Sequence, residues 1–180
     1  MPMNFMCVCG AQVVAPDGSE GKKARCPACK RVLTIDKERD SKGRVTATPE
    51  RQRILIVEDD ADLAAIVREL LEVEGYEVLV AYDGSTGLDM VYEKAPDLVV
   101  LDLMLPQING FEVCRKIKDP ANVANKNCWR TPVIILSARS KDRDVRYGKA
   151  VGADAYLQKP FKTTELSETI GKLLEKKAVE

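Results

Sequence analysis

The 180-residue chain contains no histidine. That absence excludes a Ser-His-Asp hydrolase, phosphohistidine chemistry on this chain and any imidazole-ligated metal. Long apolar runs are missing too. The longest, such as Leu63-Ala64-Ala65-Ile66-Val67, is five residues, far short of the roughly 18 needed to cross a bilayer. The first residues, Met1 to Cys7, show no basic start followed by an apolar stretch, so no secretory signal is expected. The expected location is cytoplasmic, with no membrane partner. Nor is there a charge excess: 28 basic and 28 acidic residues cancel, so the molecule as a whole is no electrostatic trap for nucleic acid. A chain with 45% hydrophobic and 31% charged residues has the composition of a globular protein, and its length suits one domain plus a small module.

Cysteine is present and clustered. Cys7, Cys9, Cys26 and Cys29 fall in the first thirty residues, while Cys114 and Cys128 lie far away. Without an export signal, paired cysteines point to metal ligation ahead of disulfides. Cys7-Val8-Cys9-Gly10 and Cys26-Pro27-Ala28-Cys29 suit the two knuckles of a tetrahedral zinc site with four thiolate ligands, and Gly10 and Pro27 favour tight turns. Val13, Val14, Val32, Leu33 and Ile35 would form short strands around it. The segment resembles a small zinc ribbon, with one residue instead of two inside the first pair. So small a segment needs Zn²⁺ to hold it together.

The chain reads as three segments: a zinc-ribbon-like module over 1–35, a linker over 36–52 and a larger domain over 53–177. The stretch 36–52 carries five basic and four acidic residues against only Val45 and Ala47 as apolar ones, so a flexible linker is expected there. From Arg53 onward, Ile54-Leu55-Ile56-Val57, Leu98-Val99-Val100-Leu101 and Val133-Ile134-Ile135-Leu136 read as strands buried on both faces. Weaker strands are expected over 77–81 and 155–157. Leu63, Ile66, Val67, Leu70 and Leu71 form a helical stripe stopped by Gly75, and Leu166, Ile170, Leu173 and Leu174 form another. Further helices are expected over about 85–94, 109–118 and 142–150. The pattern predicts an α/β, doubly wound domain with five parallel strands.

Polar groups come directly after each strong strand: Glu58-Asp59-Asp60 after Val57, Asp102 after Leu101 and Ser137 after Leu136. Parallel sheets collect ligand chemistry at these strand ends. Carboxylates crowded there repel unless a cation sits among them, and a hard divalent ion such as Mg²⁺ answers that need. The plainer alternative is that acids after strands merely cap helices, a role open to Asp60 or Asp62.

These residues resemble the receiver domain of two-component response regulators from about Arg53 to Lys176. The likeness rests on Ile54 to Asp60 as first strand and acidic pair, on Asp102-Leu103-Met104-Leu105-Pro106-Gln107-Ile108-Asn109-Gly110 as phosphoacceptor loop, on Val133 to Ala138, and on Tyr156-Leu157-Gln158-Lys159-Pro160-Phe161. The resemblance implies a flavodoxin-like sheet of order 2-1-3-4-5. It implies Asp102 as the phosphoryl-accepting nucleophile, and Glu58, Asp59, Asp102 and the Met104 carbonyl around Mg²⁺. It further implies Lys159 paired with Asp102 through a cis Lys159–Pro160 bond, and Ser137 and Tyr156 as switch residues. The donor would be a sensor histidine kinase or a phosphotransfer protein. Output would pass to a downstream protein through the receiver face, the ribbon or both.

Two enzyme chemistries fit the same residues poorly. A haloacid-dehalogenase-like phosphatase would need an acid two residues after Asp102, where Met104 stands, and a flavin site would need a hydroxyl- and glycine-rich loop after the first strand. No enzyme is expected beyond self-phosphorylation from a phosphodonor and slow self-dephosphorylation. A nucleic-acid-binding ribbon gated by the receiver is the alternative. Residues 1–35 hold five basic and two acidic groups, a balance of +3, which four thiolates and one Zn²⁺ reduce to about +1, and Phe5 is the only aromatic there, so that case is thin. Trp129, in a polar segment over 119–130, either anchors the segment or meets a partner. Cys114 reads as a small buried hydrophobe, while exposure of Cys128 is left open, with no redox partner near it in sequence.

Overall fold

The computed structural model describes residues 2–7, 11–28, 32–39, 45–49, 51–122, 128–138, 146 and 148–177, with backbone alone at 37–39, 45–49 and 176–177. The chain divides into two compact units, Met1–Arg51 and Gln52–Glu180.

In the first unit, β1 (Met3–Met6) and β2 (Gln12–Ala15) pair as an antiparallel hairpin. Alternation puts Met3, Phe5, Val13 and Ala15 inside and Asn4, Met6, Gln12 and Val14 outside. A second antiparallel sheet has the order β3 (Lys23–Arg25), β4 (Val32–Arg39), β5 (Val45–Pro49). Leu33 and Ile35 of β4 join Cys7, Cys26 and the inward hairpin residues in one small core. The linker expected over 36–52 is corrected here. Its residues complete β4 and supply β5, with Ile35 opposite Ala47 and Thr34 opposite Thr48. A strand added to a formed sheet draws on backbone hydrogen bonds, so a segment too polar to fold alone can still be ordered. Pro49 ends an edge strand, the place in a sheet where proline is tolerated.

The second unit runs β6 (Arg53–Val57), α1 (Ala61–Val73), β7 (Glu77–Ala81), α2 (Gly84–Lys94), β8 (Leu98–Asp102), α3 (Gly110–Lys118), a 3-10 turn (Cys128–Arg130), β9 (Val133–Ser137), β10 (Ala155–Gln158) and α4 (Thr163–Lys177). Of the helix expected over 142–150, residues 146 and 148–150 are helical, and the remainder lies outside the described residues. All five strands are parallel, in the order β7-β6-β8-β9-β10. This is the flavodoxin-like order 2-1-3-4-5. Alternate strand residues feed two cores: Leu55, Val57, Val99, Leu101, Val133 and Ile135 meet α2 and α3, while Ile54, Ile56, Leu98, Val100, Ile134 and Leu136 meet α1 and α4. Both faces are covered, so these strands are apolar throughout.

Cys114 is fully buried, and burial pushes its thiol up to about 12. Cys128, whose exposure the sequence left open, is buried in the same core, its Sγ 3.5 Å from the Val91 carbonyl. The 3-10 turn directs it inward while neighbouring Trp129 stays half-buried with the Arg130 guanidinium 4.8 Å above its ring. Among the described residues no helix is long and apolar enough to cross a membrane.

Candidate functional site at the carboxyl ends of the strands

After β6 the chain moves outward to β7, then returns across β6 to β8. The reversal opens a crevice at the carboxyl ends of β6 and β8, where the connecting helices depart in opposite directions. Three consecutive acids leave β6, and they separate by role. Asp60 caps α1, its Oδ1 accepting from the N–H groups of Asp62 and Leu63 at 3.0 and 3.1 Å. Asp59 is exposed. Glu58 turns inward, its N–H donating to the Ala81 carbonyl at 3.0 Å.

Glu58 is 2% exposed and Asp102, the last residue of β8, is 5% exposed. Two carboxylates so deeply buried require compensation. Lys159 provides it from beyond β10: Nζ lies 2.7 Å from Glu58 Oε2 and 2.7 Å from Asp102 Oδ2. The other Asp102 oxygen accepts from the Met104 N–H at 3.1 Å. The Lys159 N–H donates to the Ser137 carbonyl at 2.7 Å, and the Lys159–Pro160 peptide is cis, as the resemblance implies. Ser137 is fully buried at the end of β9. Met104 has an exposed side chain, and Tyr156 is half-buried against the α3-facing core.

One lysine faces three acids, so negative charge remains. Donor oxygens of Glu58, Asp59 and Asp102 lie within 4.8 Å of one another. Hard, anionic oxygens at that spacing fit a small divalent cation. The electrostatics agree. Burial raises the Glu58 carboxyl to about 7, with the Asp102 charge adding and Lys159 opposing. Burial pulls the Lys159 ammonium down, yet its bonds to Asp102 and Glu58 outweigh that and leave it raised.

A pH dependence results. The folded protein holds the Glu58 proton more tightly than an unfolded chain, so this contribution to stability fades as pH rises through 7. A cation at the site must displace that proton. Magnesium affinity is therefore expected to rise about ninefold from pH 6 to pH 8, as Glu58 goes from roughly one-tenth to nine-tenths ionised. Calorimetric titration at both pH values checks this, and Glu58→Gln should remove most of the dependence.

The loop after β8 is held by close approach. Gly110 donates its N–H to the Leu103 carbonyl at 3.2 Å, and a Cβ there would stand 2.1 Å from the Asp102 carbonyl oxygen. Asn109 caps α3 by accepting from the Phe111 N–H at 2.9 Å. The strand-end acids were legible as a group, with Asp60 open to a capping role, but the ion pair between Glu58 and Lys159 was not. In the other unit, Cys7 and Cys26 are buried together, and the Cys7 N–H donates to the Ala11 carbonyl at 2.9 Å. Cys9 and Cys29 lie outside the described residues.

The family model described as the response regulator receiver domain matches residues 54–171. Several solved structures share the fold. A CheY-like receiver domain protein from Methanospirillum hungatei is 30% identical, covering 71% of this chain and 97% of its own, with a TM-score of 0.64. The receiver domain of a Francisella response regulator is 29% identical, covering 70% and 98%, with a TM-score of 0.62. The signal receiver domain of a histidine kinase from Syntrophus aciditrophicus is 31% identical, covering 69% and 91%, with a TM-score of 0.62.

Proposed function

Because the chain belongs to the response regulator receiver family over residues 54–171, we propose that it is a phosphorylation-dependent signalling switch whose phosphoacceptor is Asp102. The observation that carries this reading is the Lys159 ammonium held 2.7 Å from both Glu58 and Asp102, with Asp59 alongside. Receiver domains accept their phosphoryl group from histidine kinases or phosphotransfer proteins, and such a donor is proposed here.

In the transfer, an Asp102 carboxylate oxygen forms a bond to phosphorus while the donor's phosphorus–nitrogen bond breaks, and the electron pair leaves with the donor imidazole. Glu58, Asp59, Asp102 and the Met104 carbonyl would hold a magnesium ion, which would supply positive charge against the carboxylates and the phosphoryl oxygens. Lys159 changes partner from the Asp102 carboxylate to a phosphoryl oxygen. Ser137 donates its hydroxyl proton to another, drawing its loop inward, and Tyr156 turns into the space vacated. The charge change at Asp102 thus becomes a change of surface, and output passes to a protein partner. No turnover is proposed beyond self-phosphorylation and slow hydrolysis of the acyl phosphate. Incubation with magnesium and acetyl phosphate should add one phosphoryl group, mapped to Asp102 by mass spectrometry. No incorporation, or incorporation elsewhere, would refute the assignment.

The finer reading of the N-terminal unit is that Cys7, Cys9, Cys26 and Cys29 hold one Zn²⁺. Supporting it are the Cys7–Ala11 hydrogen bond and the burial of Cys7 and Cys26 in one core too small to stand unaided. Purified protein should carry one zinc per chain by elemental analysis. Chelation should abolish amide-exchange protection in residues 2–39 and leave β6, β8 and β9 protected.

A further inference from the structure

Gly148 lies in a helical stretch, where glycine is a poor choice unless something needs the room. Three side chains converge on it. A Cβ at this position would stand 3.3 Å from Tyr156 Cδ2, 3.5 Å from Ile135 Cδ1 and 3.7 Å from Phe111 Cε1. Ile135 is fully buried in β9, directly opposite Tyr156 in the strand register and two residues before Ser137. Phe111 is in α3. Of the three, the Tyr156 ring is the closest, and it is half-buried on an edge strand of the sheet. The bare α-carbon of Gly148 therefore forms the seat of that ring.

We propose that Gly148 is a positioning residue that sets the resting place of Tyr156, and through it the ease with which the phosphoryl group throws the switch. The inference rests on the reading of Tyr156 as the aromatic that moves on phosphorylation. In the unphosphorylated protein the ring lies against Gly148. A methyl group there falls inside the preferred carbon–carbon distance to Cδ2, so the ring must withdraw by a few tenths of an ångström. Ile135 and Phe111 meet the methyl at ordinary contact, so the strain is concentrated on Tyr156. Once the ring has turned away, the methyl costs nothing. A group that disfavours only the resting arrangement raises the population of the other, and by linkage must tighten binding of the phosphoryl group or its mimic.

The test uses the full chain with magnesium and beryllofluoride, titrated by calorimetry. Gly148→Ala should bind the mimic about fivefold more tightly than the unsubstituted protein, a coupling at the low end of the usual range. Gly171→Ala is the control: its Cβ meets nothing within 4 Å, so it brings the same gain in helix propensity without the contact and should leave affinity unchanged. In a Tyr156→Ala background, Gly148→Ala should no longer alter affinity. Unchanged or weaker binding by Gly148→Ala overturns the inference, as does a tightening that survives loss of the Tyr156 ring. If Gly148→Ala misfolds while the double variant folds, ring and methyl compete for one space, in support. An unsubstituted protein that ignores beryllofluoride would sink the phosphoacceptor reading itself, a failure distinct from a variant that titrates like its parent.

Discussion

Asp102→Asn is expected to abolish labelling by acetyl phosphate while leaving the protein folded. The amide keeps the shape of the carboxylate, so the cavity at the end of β8 is not disturbed. What it loses is the electron pair that attacks phosphorus, and an amide nitrogen does not replace it. Lys159 would keep its 2.7 Å partner in Glu58. Removing the Asp102 charge also relieves one of the causes that raise the Glu58 carboxyl, so the remaining acids ionise more readily and the fold has no reason to loosen. Intact-mass measurement should show one added phosphoryl group in the parent and none in the variant. Labelling of the variant at parental stoichiometry would mean that another carboxylate is the acceptor.

Gly110→Ala should be the most damaging single methyl group in the second unit. Its Cβ would stand 2.1 Å from the Asp102 carbonyl oxygen and 2.8 Å from Leu103 Cα. Both are backbone atoms at the end of a central strand, so no side-chain rotation relieves the clash. Leu103 N–H already donates to the Leu136 carbonyl at 3.2 Å, which ties the obstructing backbone to β9. Overpacking against such a frame costs on the order of 3 kcal/mol, or a fall in melting temperature of roughly 10 °C for a domain of this size. Labelling should fall with it, because any movement that admits the methyl also moves Asp102. Gly171→Ala, with open space around it, should by contrast be neutral or stabilising by about 0.5–1 kcal/mol. Calorimetric melting of both variants separates the two cases. Equal melting temperatures would show that the loop is looser than the contact distances imply.

The strands and helix stripes of the second unit were legible because each carries its own periodic signal. Four consecutive apolar residues in Ile54–Val57 require cover on both faces, and the stripe Leu63, Val67, Leu71 requires a partner sheet. The site was legible as a set for a related reason: parallel strands bring the residues at their carboxyl ends to one edge of the sheet. The division among the acids was legible in part: Asp60 was open to a capping role, and the resemblance put Glu58 and Asp59 at the metal. What was not legible is that Glu58 is buried as a partner of Lys159 while Asp59 stays exposed, which the turn into α1 sets. The polar stretch 36–52 misled because composition measures whether a segment can fold alone, not whether a neighbour offers it a strand edge. The burial of Cys128 was left open for a similar reason, since a 3-10 turn inside a polar segment can still point one side chain into the core.

By itself, then, the sequence determined the α/β class, the parallel sheet, the acidic strand ends and the paired cysteines, all written in local patterns of residue type. The tertiary structure alone decided that the Lys159 ammonium paired with Asp102 also reaches Glu58, 101 positions away, and set the closeness of Gly110 to Asp102 and the seat of Tyr156 on Gly148. Those depend on distances between segments remote in the chain, which packing sets and no local pattern encodes.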